Sequence, residues 1–241
     1  MPRAPRVDVG DIVYHVLNRA NARKQIFVTH LDYQAFERLL AMAQERFSMR
    51  ILAYCIMPNH WHLVLHPRHD GDLASFMSWV TQTHTQRWHT AHETVGTGHL
   101  YQGRYKSFPV QDDAYFLQLC RYVERNPLRA KLVARVQDWR WSSVGHRLHG
   151  GGDDQPQLSD WPLPQPSDYL EWLHGQEESD ELEEIRTCVA RGRPFGEPTW
   201  AQRIAERLGI IQSLHDRGRP WFAAGLEAAA VLITSGAGVI L

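Results

Sequence analysis

Hydrophobic and polar positions along the first 130 residues follow two rhythms. The run VYHVL at 13–17 alternates and predicts a strand, and the polar stretch 18–24 behind it predicts a loop. Over 32–47, Phe36, Leu39, Leu40 and Ala43 recur at helical spacing and predict an amphipathic helix. Two apolar runs, 49–56 and 61–65, are split by Met57-Pro58-Asn59, so they predict strands that reverse through a tight turn. A second long helix is predicted over 73–92, with Phe76, Trp79, Val80 and Trp88 as packing residues, and glycines at 96 and 98 break it. The stretch 100–110, containing QGRYKSFPV, predicts extended chain. A third helix over 114–125 ends at Asn126-Pro127, because the residue before a proline is driven out of the helical region.

The resulting order is β-α-β-β-α-β-α. Strands and helices in the order β-α-β-β-α-β build an α+β, ferredoxin-like fold of the RRM or palm type: an antiparallel sheet with helices on one face. The third helix would pack beside it. Past residue 150 the character changes. GGDDQPQ and PLPQPSD predict a linker over 151–175, after a core domain at 1–150. A small, mostly helical extension is expected over 176–241, with helical candidates at 177–190 and 199–208, and a further helical candidate lies before it at 168–174. It contains two RGRP segments, at 191–194 and 217–220, and ends in an apolar tail over 221–241. An RGRP segment is similar to the minor-groove core of an AT-hook, and it also suits a loop that ends a helix.

Composition narrows the class. The chain has 241 residues, 43% hydrophobic and 22% charged, which is the profile of a soluble globular protein. Its three cysteines lie far apart without metal-type spacing, so a reducing cytoplasm is the expected compartment. The N-terminus lacks the apolar core of a secretory signal. The tail 221–241 has Glu227 as its only ionisable residue, but Thr234, Ser235 and three glycines weaken a membrane-helix reading, and no membrane partner is expected. The net charge of −1 hides an asymmetry: residues 1–150 carry +7 and residues 151–241 carry −8. A basic core domain fits a nucleic-acid partner, whose phosphates need positive charge only where they lie.

Candidate chemistry concentrates in two places. In MPNHWHLVLHP, His60 and His62 lie two apart on a predicted strand, so both imidazoles face one side while Trp61 enters the core. Two neutral imidazoles a few ångströms apart suit a metal, although a chain with 14 histidines can also hold such a pair on plain surface. His66 is a neighbour on the same face. In LCRYVERNPLRA, Tyr122 and Asn126 share a helix face, and Asn126 offers an amide oxygen to a hard cation. A packing tyrosine followed by a helix stop fits the same residues. Tyr115, seven residues earlier, competes as a nucleophile. Arg104 and Lys106 interleave with Tyr101, Tyr105 and Phe108, a mixture suited to single-stranded nucleic acid or to an ordinary half-buried strand. Arg121, Arg125 and Arg129 bracket Tyr122 as phosphate-binding candidates or as a solvated helix face.

MPNHWHLVL, GHLYQGRYKSFPV and RYVERNPLRAKLV occur in that order, and together they resemble the motifs of the single-tyrosine HUH transposases, within them the REP-associated tyrosine transposases. The resemblance runs from about residue 13 to 147. It implies that 1–150 is a nuclease domain in which His60, His62 and Asn126 ligate Mg2+ or Mn2+ and Tyr122 attacks a DNA phosphate. Relatives often carry Gln at the position of Asn126. The implied activity is cleavage and strand transfer on single-stranded, hairpin-forming DNA through a 5′-phosphotyrosine, at the nucleoid and as a monomer, with a dimer as the alternative. A domesticated protein that binds hairpins without cutting is the competing expectation. The resemblance also implies a basic end after the second RGRP, and the apolar tail here departs from it.

Overall fold

The computed structural model describes residues 8–152 and 154–215. The second RGRP segment and the apolar tail lie outside them. Among the described residues, no helix is long and apolar enough to cross a membrane.

Four strands form the sheet: β1 (Val13–Arg19), β2 (Arg50–Met57), β3 (His60–His66) and β4 (Lys106–Val110), in the spatial order β2-β3-β1-β4, all antiparallel. Two long helices, α1 (His30–Phe47) and α2 (Asp72–Ala91), cross over between strands, which gives the expected ferredoxin-like arrangement. Helix α1 begins with a capping box in which Thr29 and Asp32 satisfy each other's backbone amides. Both helices cover one face of the sheet, packing Phe36, Leu40, Phe76 and Val80 against Tyr14, Val16, Trp61 and Leu63.

The third helix comes to the opposite face. Helix α3 (Ala114–Glu124) lays Phe116, Leu119, Cys120 and Val123 on Val13, Ala53, Cys55, Val64 and Phe108. A bulge in β2 explains how that face stays apolar. The register shifts between Ile51 and Ala53, so Ile51 belongs to one core while both Leu52 and Ala53 belong to the other. Asn126-Pro127 does not stop the chain but turns it into α4 (Asn126–Arg129), because proline fits the first turn of a helix, where its missing N–H is not needed. The helix α5 (Ser143–His149), which the periodicity did not predict, comes next.

The segment read as a linker is packed. Leu158 bridges Ile51 beside β2, and Trp161 donates its indole N–H to the Leu52 carbonyl at 2.9 Å. Three helices complete the described chain: α6 (Tyr169–His174), α7 (Ser179–Arg191) and α8 (Pro198–Arg207). The first RGRP segment ends α7, with Gly192 in the left-handed conformation at φ 71° that a helix C-terminus favours. Phe195 then bridges Val110 along β4, exchanging backbone hydrogen bonds with Pro109 and Gln111 at 2.9 Å. Both edges of the sheet are thereby covered.

A buried carboxylate joins α3 to α5 and α6. Glu124 accepts from Arg147 at 2.7 Å, from the Tyr169 hydroxyl at 2.7 Å and from Ser143. Removing it strands the charge of Arg147, so Glu124→Ala is expected to cost about 3–5 kcal/mol in urea unfolding. Arg38→Ala, which breaks the exposed pair with Asp154, is expected to leave the unfolding curve in place.

Candidate active site

The second sheet face carries the chemistry. In the antiparallel register, His62 lies opposite Leu17 and His60 opposite Arg19, while Leu17 also faces Lys106 across to β4. Alternation then puts His15, Leu17 and Arg19 of β1, His60, His62 and His66 of β3, and Lys106 of β4 on one side. What holds the histidines outward is Trp61, buried on the other side. Its ring stacks on Phe36 with centroids 5.8 Å apart, and its Nε1 donates to the Tyr101 hydroxyl at 2.9 Å. That hydroxyl also shares a hydrogen bond with Nδ1 of the buried His84 at 2.5 Å. A slip of one residue would turn this anchored indole onto the wrong face.

His60 and His62 have ring centroids 5.1 Å apart at a 77° tilt. Burial, and then the guanidiniums of Arg19 and Arg129, push His60 down to about 4. Burial, the two neighbouring imidazoles and the same arginines hold His62 well below the ordinary histidine range. Both rings are therefore neutral near pH 7, as metal ligands must be. Their Nδ1 atoms are occupied: His60 Nδ1 lies 2.6 Å from Asn59 Oδ1, and His62 Nδ1 lies 2.9 Å from His15 Nε2. Nε2 of each ring is left for a ligand, the outer-shell pattern common to metal-binding histidines.

His15 is the residue that motif reading missed. It is fully buried, stacked on His62 with centroids 5.1 Å apart, and pushed down to about 3 by burial. For His62 to present an Nε2 lone pair, its Nδ1 must carry the proton and donate to His15 Nε2. The strand alternation of VYHVLNR was the available signal, since it puts His15 and Arg19 on one face. Nothing in the sequence said that this face was the one shared with His60.

Tyr122 approaches from α3. Its ring is half-buried, 5.9 Å from His62 at 84° and 6.2 Å from His15 at 88°, so two imidazole rings meet it edge to face. Asn126 sits one turn on. Its amide nitrogen donates to the carbonyls of Tyr122 and Val123 at 3.1 Å, which leaves Oδ1 as the group able to meet a cation. Tyr115, the rival nucleophile, lies two turns away against Phe195 at 5.0 Å, where slight burial and then Glu184 and Glu197 raise its pKa.

The predicted basic residues divide. Lys106 is exposed on the histidine face. Arg104 instead lines a groove of about 670 Å3 with Asn18, Thr81, Gln82 and Tyr101, beside α2. Arg121 and Arg125, expected to bind phosphate, are instead buried among backbone carbonyls of the chain beyond residue 170. Arg121 donates to the carbonyls of Trp172, Gly175 and Gln176 at 2.8–3.1 Å and stacks on Trp172. Arg125 is likewise buried against the carbonyls of Leu173 and Gly175. Arg129 lies over the Tyr122 ring at 4.4 Å and pairs with Glu177 at 2.6 Å.

No group of three or more His, Cys, Asp or Glu suited to a metal occurs among the described residues. Two neutral imidazoles with Nε2 atoms outside the hydrogen bonds at Nδ1 are donors of the kind a divalent cation takes.

The site sets a half-buried phenol against an outward-facing histidine pair on a ferredoxin-like sheet, and residues 8–126 match the family described as Transposase IS200 like. Among curated proteins, it is similar to the REP-associated tyrosine transposase of Escherichia coli (strain K12), 22% identical over 139 residues, covering 57% of this chain and 78% of that one. It is also similar to a putative REP-associated tyrosine transposase of Haemophilus influenzae (strain ATCC 51907 / DSM 11121 / KW20 / Rd), 24% identical over 111 residues, covering 43% of this chain and 62% of that one. The fold resembles a solved REP-associated tyrosine transposase bound to a REP hairpin, with a TM-score of 0.52 at 16% identity, covering 69% of this chain and 98% of that one.

The anchor behind the site makes the fold sensitive to acid. Burial pushes His84 down to about 3 from an ordinary value of 6.5. Below pH 6.5 the unfolded chain therefore takes up a proton that the folded chain refuses. The stability is complete above 6.5 and is lost as pH falls towards 3. The urea midpoint is expected to drop between pH 7.5 and pH 5, and His84→Gln is expected to reduce that drop. An unchanged pH dependence in the variant would refute the assignment.

Proposed function

We propose that this protein is a metal-dependent single-strand DNA nuclease and strand transferase that acts on REP-like hairpins through Tyr122. The observation that carries the reading is the Tyr122 ring lying against His62 within one chain, 5.9 Å between centroids. A site complete in one chain favours action as a monomer. The hairpin bound by the structural relative supports the substrate class. Such an enzyme would work at the nucleoid in the cytoplasm.

In this reading the scissile phosphate enters between the histidine pair and the phenol. A divalent cation, Mg2+ or Mn2+, held by His60, His62 and Asn126 would neutralise charge on the phosphate oxygens. Arg19, next to His60, adds a fixed positive charge on the same face. The packing around Tyr122 limits its ring to one direction of approach, which is what in-line attack needs. Its oxygen loses a proton to solvent and bonds to phosphorus. The bond to the 3′ oxygen breaks, and a 3′-hydroxyl leaves. The 5′-phosphotyrosine keeps the phosphodiester's energy, so a 3′-hydroxyl can reverse the step and join a strand without ATP. Lys106, exposed two strands away from the histidine pair, meets a flanking phosphate, and Arg104 meets DNA at the groove beside α2.

The test is a labelled single-stranded hairpin with Mn2+ on a denaturing gel. Wild type and Tyr115→Phe are expected to give a covalent adduct, while Tyr122→Phe gives none. His60→Ala is expected to lose the adduct yet bind the hairpin within about threefold of wild type, since phosphate contacts dominate affinity. An adduct that survives Tyr122→Phe, or forms equally in EDTA, sinks the reading. Hairpin binding with no adduct in wild type selects the alternative, a protein that binds without cutting.

Lys106→Ala is expected to weaken hairpin binding and to lower the slope of log affinity against log salt by about 0.7, the loss of roughly one single-strand phosphate contact. An unchanged slope in an anisotropy titration removes Lys106 from the DNA path.

A further inference from the structure

Arg129 has a role that phosphate binding does not describe. Its guanidinium lies over the Tyr122 ring, with Cζ 4.4 Å from the centroid. One nitrogen also donates to the Tyr122 backbone carbonyl, and another meets Glu177 Oε1 at 2.6 Å. Arg125 Nε sits 3.3 Å from the same oxygen. Glu177 is nearly enclosed, with 12% of its side chain exposed, against 18% for Arg129 and 9% for Arg125. It comes from the extension, beyond the 8–126 segment that matches the family.

We propose that Glu177 is a positioning residue for Tyr122, acting through Arg129. The proposal rests on Tyr122 being the nucleophile. A phenol attacking in line must present its oxygen along one direction, and a ring free to rotate about the Cα–Cβ bond loses that alignment. On the sheet side, His62 and His15 meet the Tyr122 ring at 84° and 88°. The guanidinium closes over the ring. An arginine beside incoming DNA is drawn to phosphate, and leaving the ring would unpack it. Glu177 opposes that pull with a charge-assisted hydrogen bond in a partly dry setting. The planar guanidinium can stack on the phenol and bond at its edges at the same time, which an ammonium cannot. Burial disfavours the charge on Arg129, and the carboxylate of Glu177 and then Tyr122 itself oppose that effect.

The experiment uses the full chain, a labelled single-stranded hairpin and Mn2+. It measures the single-turnover rate of adduct formation at saturating DNA, the hairpin Kd by anisotropy, and thermal melting. Glu177→Gln is expected to slow the adduct by about 10- to 100-fold while changing Kd by less than about threefold, because it removes an interaction that aligns the reaction and not one that holds the DNA. Glu177→Asp, which keeps the charge, is expected to recover part of the rate, and it serves as the informative variant if Glu177→Gln fails to fold. Arg129→Ala is expected to be slow, and Glu177→Gln added to it is expected to cost little more, since the two act as one unit. Three results overturn the proposal: a wild-type rate in Glu177→Gln, a loss that lies in Kd alone, or a Glu177→Gln deficit that multiplies in full onto that of Arg129→Ala. Tyr122→Phe separates the two levels: if wild type gives no Tyr122-dependent adduct, the nuclease reading falls and takes this one with it, whereas a Tyr122-dependent adduct formed equally by Glu177→Gln defeats only the positioning role.

Discussion

The antiparallel pairing of β1 with β3 is the constraint on which the site depends. It lines up His62 with Leu17 and His60 with Arg19, and it brings His15 within 2.9 Å of His62 across a cross-strand diagonal. Strand alternation then separates two tasks on the same few residues. Trp61, Leu63 and Leu65 close the core with α1 and α2, while His60 and His62 face α3. The indole of Trp61 decides which way round this happens. It is too large and too well hydrogen-bonded to turn outward without stranding Tyr101 and His84 beneath it.

This division explains what could be read from the chain alone. The strands and long helices of the core announce themselves by period, and their boundaries differ from the pattern by a residue or two, except that the stretch read as extended over 100–110 forms a strand only at Lys106–Val110. His60, His62, Tyr122 and Asn126 were legible because short motifs carry them. His15 and Arg19 were not, since their importance arises only from which strand β1 pairs with, and pairing is a long-range property. The same applies to α3. Its apolar face was plain, but its place on the opposite side of the sheet is a tertiary outcome, and the β2 bulge that adds Leu52 to that side leaves no mark in a hydrophobicity pattern. Helix α5 is short and mixed in character, and it forms where Ser142 caps it and Ser143 reaches Glu124.

Charge told a more complicated story than the split between +7 and −8 suggested. A basic core and an acidic extension read naturally as a nucleic-acid surface with a bystander attached. In the fold, several of those charges meet each other. Arg38 pairs with Asp154, Arg121 with Glu181, and Arg125 and Arg129 with Glu177. Part of the asymmetry is therefore an internal fastening between the two halves of the chain. Among the described residues, Arg19 and Lys106 bring positive charge to the histidine face from β1 and β4, not from the tyrosine helix.

The strips of chain that run beside β2 and β4 set where this molecule can be divided. Cutting at the end of the family-matching segment would strip Leu158 and Phe195 from two bare strand borders and leave the arginines of α3 facing no carbonyls. Open borders of that kind recruit strands from other molecules, so such a fragment would tend to aggregate. The segment that matches the family is thus smaller than the set of elements that border the sheet. Comparisons made on isolated cores would misjudge both its solubility and its chemistry.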